Sequence, residues 1–124
     1  ILNFSQALQE LIGDIPRIKM HLHIDEDLTV DDPKLAQALL RCIQEIITNC
    51  IKHANAKNLW ITINLFHEEI KVTIKDDSKL NSSQIIEGNG LTGIRERVKQ
   101  FNGDVKIIPQ HERGLCIEMI FRIG

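Results

Sequence analysis

The stretch Glu45-Ile46-Ile47-Thr48-Asn49-Cys50-Ile51-Lys52-His53-Ala54 decides how this chain reads. At about 100° per residue on a helix, Asn49 lies roughly 40° from Glu45, and Lys52 roughly 20° to its other side. His53 falls near the edge of the same arc. Ile43, Ile47, Cys50 and Ala54 point the opposite way. One face therefore suits a core, while the other lines up a carboxylate, a carboxamide and an ammonium group. Carboxylate and carboxamide oxygens suit Mg²⁺, and a lysine suits phosphate. The same pattern describes an amphipathic surface helix whose polar face meets water, so this stretch alone leaves both readings open.

Upstream, Asp32-Pro33 is a helix start, with Asp at the N-cap and Pro in the first turn. The spacing predicts a helix from Pro33 to about His53, with 54–58 as its exit turn. Phe4 to Leu11 carries apolar residues at helical spacing, with Ser5 as a candidate cap and Gly13 to Pro16 as its end. Ile18 to Ile24 alternates as a strand, placing His21 and His23 on its wet face. Downstream, Leu59 to Phe66 reads as a strand with Trp60 on one face and Leu59, Ile61, Ile63 and Leu65 on the other. His67-Glu68-Glu69 turns it into a second strand, Ile70 to Lys75, as a hairpin. Residues 76–89 are polar and aperiodic, longer than ordinary connections, and read as a functional loop or lid. Leu91 to Phe101 is helical, ended by Asn102-Gly103. Val105 to Ile108 and Leu115 to Ile123 are two further strands, joined by a turn around His111 to Gly114. Paired strands with helices on one face predict an α/β fold, a two-layer α/β sandwich.

The 124 residues fit one domain, 1–124, and 43% hydrophobic with 26% charged residues is a globular balance that can bury a core. A net charge of −2 argues against a general nucleic-acid binder and a polybasic membrane surface. No apolar run approaches the roughly 20 residues that span a bilayer. The chain starts without Met inside what reads as a helix, and it reads as a fragment of something longer. Cys42, Cys50 and Cys116 form no CxxC pair and read as reduced core thiols in a cytosolic domain. No zinc site is expected.

Two further signals follow the first. Asp76-Asp77 closes a strand, where a carboxylate can accept the exocyclic amine of adenine or cap a turn. Gly88-Asn89-Gly90-Leu91-Thr92-Gly93 opens a helix, where glycines allow close approach and free N–H groups can hold phosphate. No P-loop signature occurs.

In this order, Glu45, Asn49 and Lys52-His53-Ala54, then Asp76, then Gly88-Asn89-Gly90-Leu91 resemble the N, G1 and G2 boxes of the GHKL (Bergerat-fold) ATPases. The continuation Gly90-Leu91-Thr92-Gly93-Ile94-Arg95-Glu96-Arg97-Val98 resembles the ATP-binding domain of bacterial sensor histidine kinases that pair with NarL/LuxR-type response regulators. The resemblance covers residues 32–124 and implies a set of roles. Asn49 coordinates Mg²⁺ on the ATP phosphates. Glu45, the candidate catalytic residue, orients or activates groups around that metal. Lys52 and His53 approach the phosphates, Asp76 receives the adenine amine, and Gly88, Asn89, Gly90 and Leu91 shape the lid.

It further implies ATP and Mg as cofactors and γ-phosphoryl transfer to a histidine on a separate dimerisation domain, absent from this sequence. The chain alone is expected to be a monomer and the full protein a homodimer. The domain is expected to be cytoplasmic, with an inner-membrane anchor elsewhere in the full protein left open. The family's Asp-x-Gly-x-Gly is here Asp76-Asp77-Ser78-Lys79-Leu80, and Leu115 stands where a Thr is common. The fold also serves anti-sigma-factor serine kinases, and a nucleotide-free interaction module would keep it too; the Arg95-Glu96-Arg97 continuation favours the histidine kinase. Topoisomerase, chaperone and mismatch-repair ATPases need transducer domains that this length cannot hold.

Overall fold

The computed structural model describes residues 4–13, 18–49, 56–77, 90–108 and 114–123, without the side chains at 49 and 90–92. Three helices and five strands are formed among them: α1 (Phe4–Gly13), β1 (Lys19–Ile24), α2 (Pro33–Asn49), β2 (Asn58–Phe66), β3 (Glu69–Asp76), α3 (Gly90–Lys99), β4 (Asp104–Ile107) and β5 (Cys116–Arg122). The strands make one sheet in the order β1-β2-β3-β5-β4. β1 runs parallel to β2, and the other pairs are antiparallel. A parallel pair needs a crossover, and α2 lies within it.

Local chemistry accounts for the elements. Asp32 caps α2 as expected: its Oδ1 accepts from Lys34 N at 3.0 Å, and its carbonyl accepts from Ala36 N. Ser5 lies inside α1 rather than ahead of it. The β2–β3 hairpin turns through His67-Glu68, with His67 at a φ of 57°. Asp76 proves to be the last residue of β3, opposite Leu59. Phe101 falls beyond α3. The Gly103 N–H returns to the Val98 carbonyl at 3.1 Å, and Asn102 takes the left-handed conformation at a φ of 54°.

Period-two alternation splits the sheet into two faces. Leu59, Ile61, Ile63, Ile70, Val72 and Ile74 point inward and are buried, while Trp60 is 38% exposed on the other face. The inner face meets Leu8 of α1, Leu39, Ile43 and Ile47 of α2, and Ile94 and Val98 of α3 in one core. At about 25 cal/mol per Å² of apolar area, this burial is the main force holding the two layers together. Ile43 and Ile47 face the core as the sequence predicts, which leaves Glu45 at its margin. No helix among the described residues is long and apolar enough to cross a membrane.

Candidate functional site

Three elements carry the candidate residues: the second half of α2, the end of β3 and the start of α3. Asp76 is 2% exposed, although it ends a strand. Its backbone N–H donates to Leu115 O, and its Oδ1 accepts from Leu115 N, both at 2.9 Å. Gly114, at a φ of 106°, makes this possible. A Cβ there would stand 2.4 Å from Asp76 O, so only glycine lets the two segments approach so closely. Leu115 therefore helps to secure Asp76, through its backbone rather than through a hydroxyl.

Asp77 holds the neighbouring strand. Its Oδ1 accepts from the N–H groups of Lys57 and Asn58, and its Oδ2 from Asn58 Nδ2, all at 2.9 Å. Burial pushes the Asp77 carboxyl upward, but these hydrogen bonds outweigh it and hold the group below its ordinary range. Asn58 Oδ1 accepts from His21 Nε2 at 3.0 Å, since its amide nitrogen is committed to Asp77. The His21 ring stacks on Trp60, with centroids 5.2 Å apart. A polar chain thus ties β1 to β2 and to the end of β3.

On the helical side, Arg97 Nη1 donates to Glu45 Oε1 at 2.5 Å, joining α3 to α2. The pair is partly open, with Glu45 34% and Arg97 30% exposed. Hydrogen bonding to Glu45 raises the Arg97 pKa, so the guanidinium stays charged. Beside it the Cys42 thiol is fully buried, and burial pushes it up to about 11, so it stays protonated at neutral pH.

Of the residues expected at the site, Glu45 sits on α2 facing α3, and Asp76 lies buried at the end of β3. Asn49 ends α2 and Gly90 and Leu91 begin α3, as backbone positions. Lys52, His53, Gly88, Asn89, Ser78 and Leu80 lie outside the described residues, as do Cys50 and the turn before Gly114. Sequence reasoning missed Arg97 as the partner of Glu45, Asp77 as a strand tie and the Leu115 backbone under Asp76. Arg97 lay within the quoted motif, but nothing local marks a partner 52 residues away.

A depression of about 780 Å³ lined by Phe66, His67 and Arg122 lies at the β2–β3 turn, the opposite end of those strands from Asp76. It contains none of the candidate residues.

Residues 34–124 match the model of the histidine kinase-, DNA gyrase B- and HSP90-like ATPases. The sensor histidine kinase YxjM of Bacillus subtilis is 31% identical over 91% of this chain, which spans 29% of that protein. The signal transduction histidine-protein kinase/phosphatase UhpB of Salmonella typhimurium is 30% identical over 95% of the chain, which spans 25% of it. The solved histidine kinase domain of the E. coli osmosensor EnvZ superposes with a TM-score of 0.74. That likeness covers 99% of this chain and 88% of that one at 12% identity, and it speaks to the fold. The two-layer sandwich, the match over most of the chain and the relatives agree: this chain belongs to the histidine kinase-, DNA gyrase B- and HSP90-like ATPase family and is homologous to the catalytic ATP-binding domains of sensor histidine kinases.

Proposed function

We propose that this chain holds Mg-ATP for phosphoryl transfer to a histidine on a separate dimerisation domain of the same sensor kinase. The observation that carries the reading is the buried Asp76 carboxylate at the end of β3. A carboxylate excluded from water and held by a backbone N–H suits an amine donor, and the adenine base supplies one. Asn49 at the end of α2 has the carboxamide chemistry of a Mg²⁺ ligand, and Glu45 lies one turn before it on the same helix. Lys52, His53 and the N–H groups at the start of α3 are the groups for the phosphates. Bound Mg-ATP supplies the phosphoryl group, and catalysis is then mostly positioning and charge neutralisation.

The full protein, in this reading, is a homodimer that passes the phosphoryl group to a NarL/LuxR-type response regulator. The chain alone is a monomer, and the domain works in the cytoplasm. The continuation Arg95-Glu96-Arg97 and the sensor-kinase relatives favour this over an anti-sigma-factor serine kinase. Asn49→Ala should greatly weaken Mg-ATP binding in a calorimetric titration while circular dichroism stays that of the parent. Equal affinity in a folded Asn49→Ala variant would reject the assignment of the metal ligand.

A further inference from the structure

Gly93 and Arg97 stand one turn apart on α3, and both face Glu45. Arg97 Nη1 occupies Glu45 Oε1, while the other oxygen, Oε2, lies 3.8 Å from where a Cβ at residue 93 would stand. Arg97 Nη1 is also 3.8 Å from that point, and these two atoms are the nearest to it among the described residues outside the helix backbone. A Cβ at position 93 would therefore rest on the ion pair in ordinary contact. Glycine inside a helix is destabilising relative to alanine. Gly93 has neither a left-handed φ nor, among the described residues, a steric conflict to require it. Its missing side chain leaves the partly open Glu45–Arg97 pair without a covering Cβ.

The pair also sits between the two elements that matter for a nucleotide. Glu45 is on the helix that carries Asn49, and α3 follows the stretch 76–89 that the sequence reads as a loop or lid. An unpaired carboxylate beside a polyphosphate would repel it. A guanidinium on one oxygen offsets that repulsion and holds the carboxylate, because its charge is permanent. The buried Cys42 thiol alongside adds no competing charge.

We propose that the Glu45–Arg97 pair is a working part of the nucleotide site. Arg97 is a positioning residue that neutralises and orients Glu45, and Gly93 is the window through which the carboxylate faces Mg-ATP. The inference rests on the Mg-ATP reading of Asn49 and Asp76. The alternative is a structural bridge that only ties α2 to α3.

Four variants of the full 124-residue chain separate the two: Gly93→Leu, Arg97→Gln, Arg97→Lys and the charge-swapped Glu45→Arg/Arg97→Glu. Each is titrated calorimetrically with Mg-ATP and with ATP in EDTA, and its thermal unfolding is followed. A working pair predicts that Gly93→Leu melts no lower than the parent yet binds Mg-ATP about tenfold more weakly. Arg97→Gln should lose about tenfold in Mg-ATP affinity, with a smaller loss for ATP in EDTA. Arg97→Lys should recover part of this, and the charge swap should recover the melting temperature without the Mg-ATP affinity. If Gly93→Leu and the charge swap both bind Mg-ATP as the parent does, the pair is a bridge and the proposal fails while the nucleotide reading stands. If the parent itself binds no Mg-ATP, both fail together.

Discussion

Replacing Gly114 by alanine should strike stability and the site at once. The residue has a φ of 106°, well beyond the left-handed well that non-glycine residues occasionally enter. Forcing a Cβ into that conformation costs about 1–3 kcal/mol. The added atom would also stand 2.4 Å from Asp76 O and 3.4 Å from Asp76 C. Both are backbone atoms in the paired end of β3, so relief requires moving the strand end, at about 1–3 kcal/mol more. The total, about 2–6 kcal/mol, is a large part of the 5–15 kcal/mol that stabilises a typical domain. The same displacement moves the Leu115 N–H that holds Asp76 Oδ1, so nucleotide affinity should fall as well. Urea unfolding measures the first effect as a lower midpoint at unchanged slope. Calorimetric titration of the folded variant measures the second. A Gly114→Ala variant with the parent's midpoint would refute the strain argument. One that is destabilised but binds Mg-ATP normally would refute the link from Gly114 to Asp76.

Gly103→Ala is the matching control, because its Cβ would stand 1.7 Å from Ile120 O, toward the other end of β5. It should lower the urea midpoint by a similar or greater amount, with Mg-ATP affinity of the folded fraction unchanged. The Asp77 carboxyl titrates lower in the folded chain than in the unfolded one, so its stabilisation is present above the unfolded value near pH 3.9 and is lost as pH falls through the lower folded value. Asp77→Asn should therefore be less stable than the parent at neutral pH, with the gap closing in acid below about pH 4 in pH-dependent urea melts. His21→Ala should change Trp60 emission by removing the stacked ring and leave Mg-ATP affinity alone, because both rings lie on the sheet face away from the helices. For that reason calorimetry is a better reporter of nucleotide than the tryptophan.

Much of this arrangement was legible in local patterns. Asp32-Pro33 marked the start of α2, and the alternation through Leu59, Ile61 and Ile63 assigned the buried face of β2. The split between Ile43/Ile47 and Glu45 set the orientation of α2 before any neighbour was known. What stayed hidden depends on partners distant in the chain. Nothing in β5 announces that it lies between β3 and β4, nor in β1 that it pairs parallel with β2. Asp76 read as the residue after a strand, because the Leu115 backbone that extends its pairing is 39 residues away. Phe101 fitted the helical period of α3, yet the Gly103 N–H returning to Val98 O ends the helix before it. Arg97 carried the right charge within a recognisable motif, but its role followed only from the geometry that sets it against Glu45.

Whether Asp76 receives the amine of the base of a Mg-nucleotide, as proposed, is tested by calorimetric titration of the chain and of Asp76→Asn with Mg-ATP and Mg-GTP. The parent should bind Mg-ATP well and Mg-GTP at least about tenfold more weakly, because guanine offers a carbonyl where adenine offers its amine. Asp76→Asn should lose most of the ATP affinity while keeping its fold. A parent that binds the two nucleotides equally, or a folded Asp76→Asn variant that binds Mg-ATP as the parent does, would contradict the proposal.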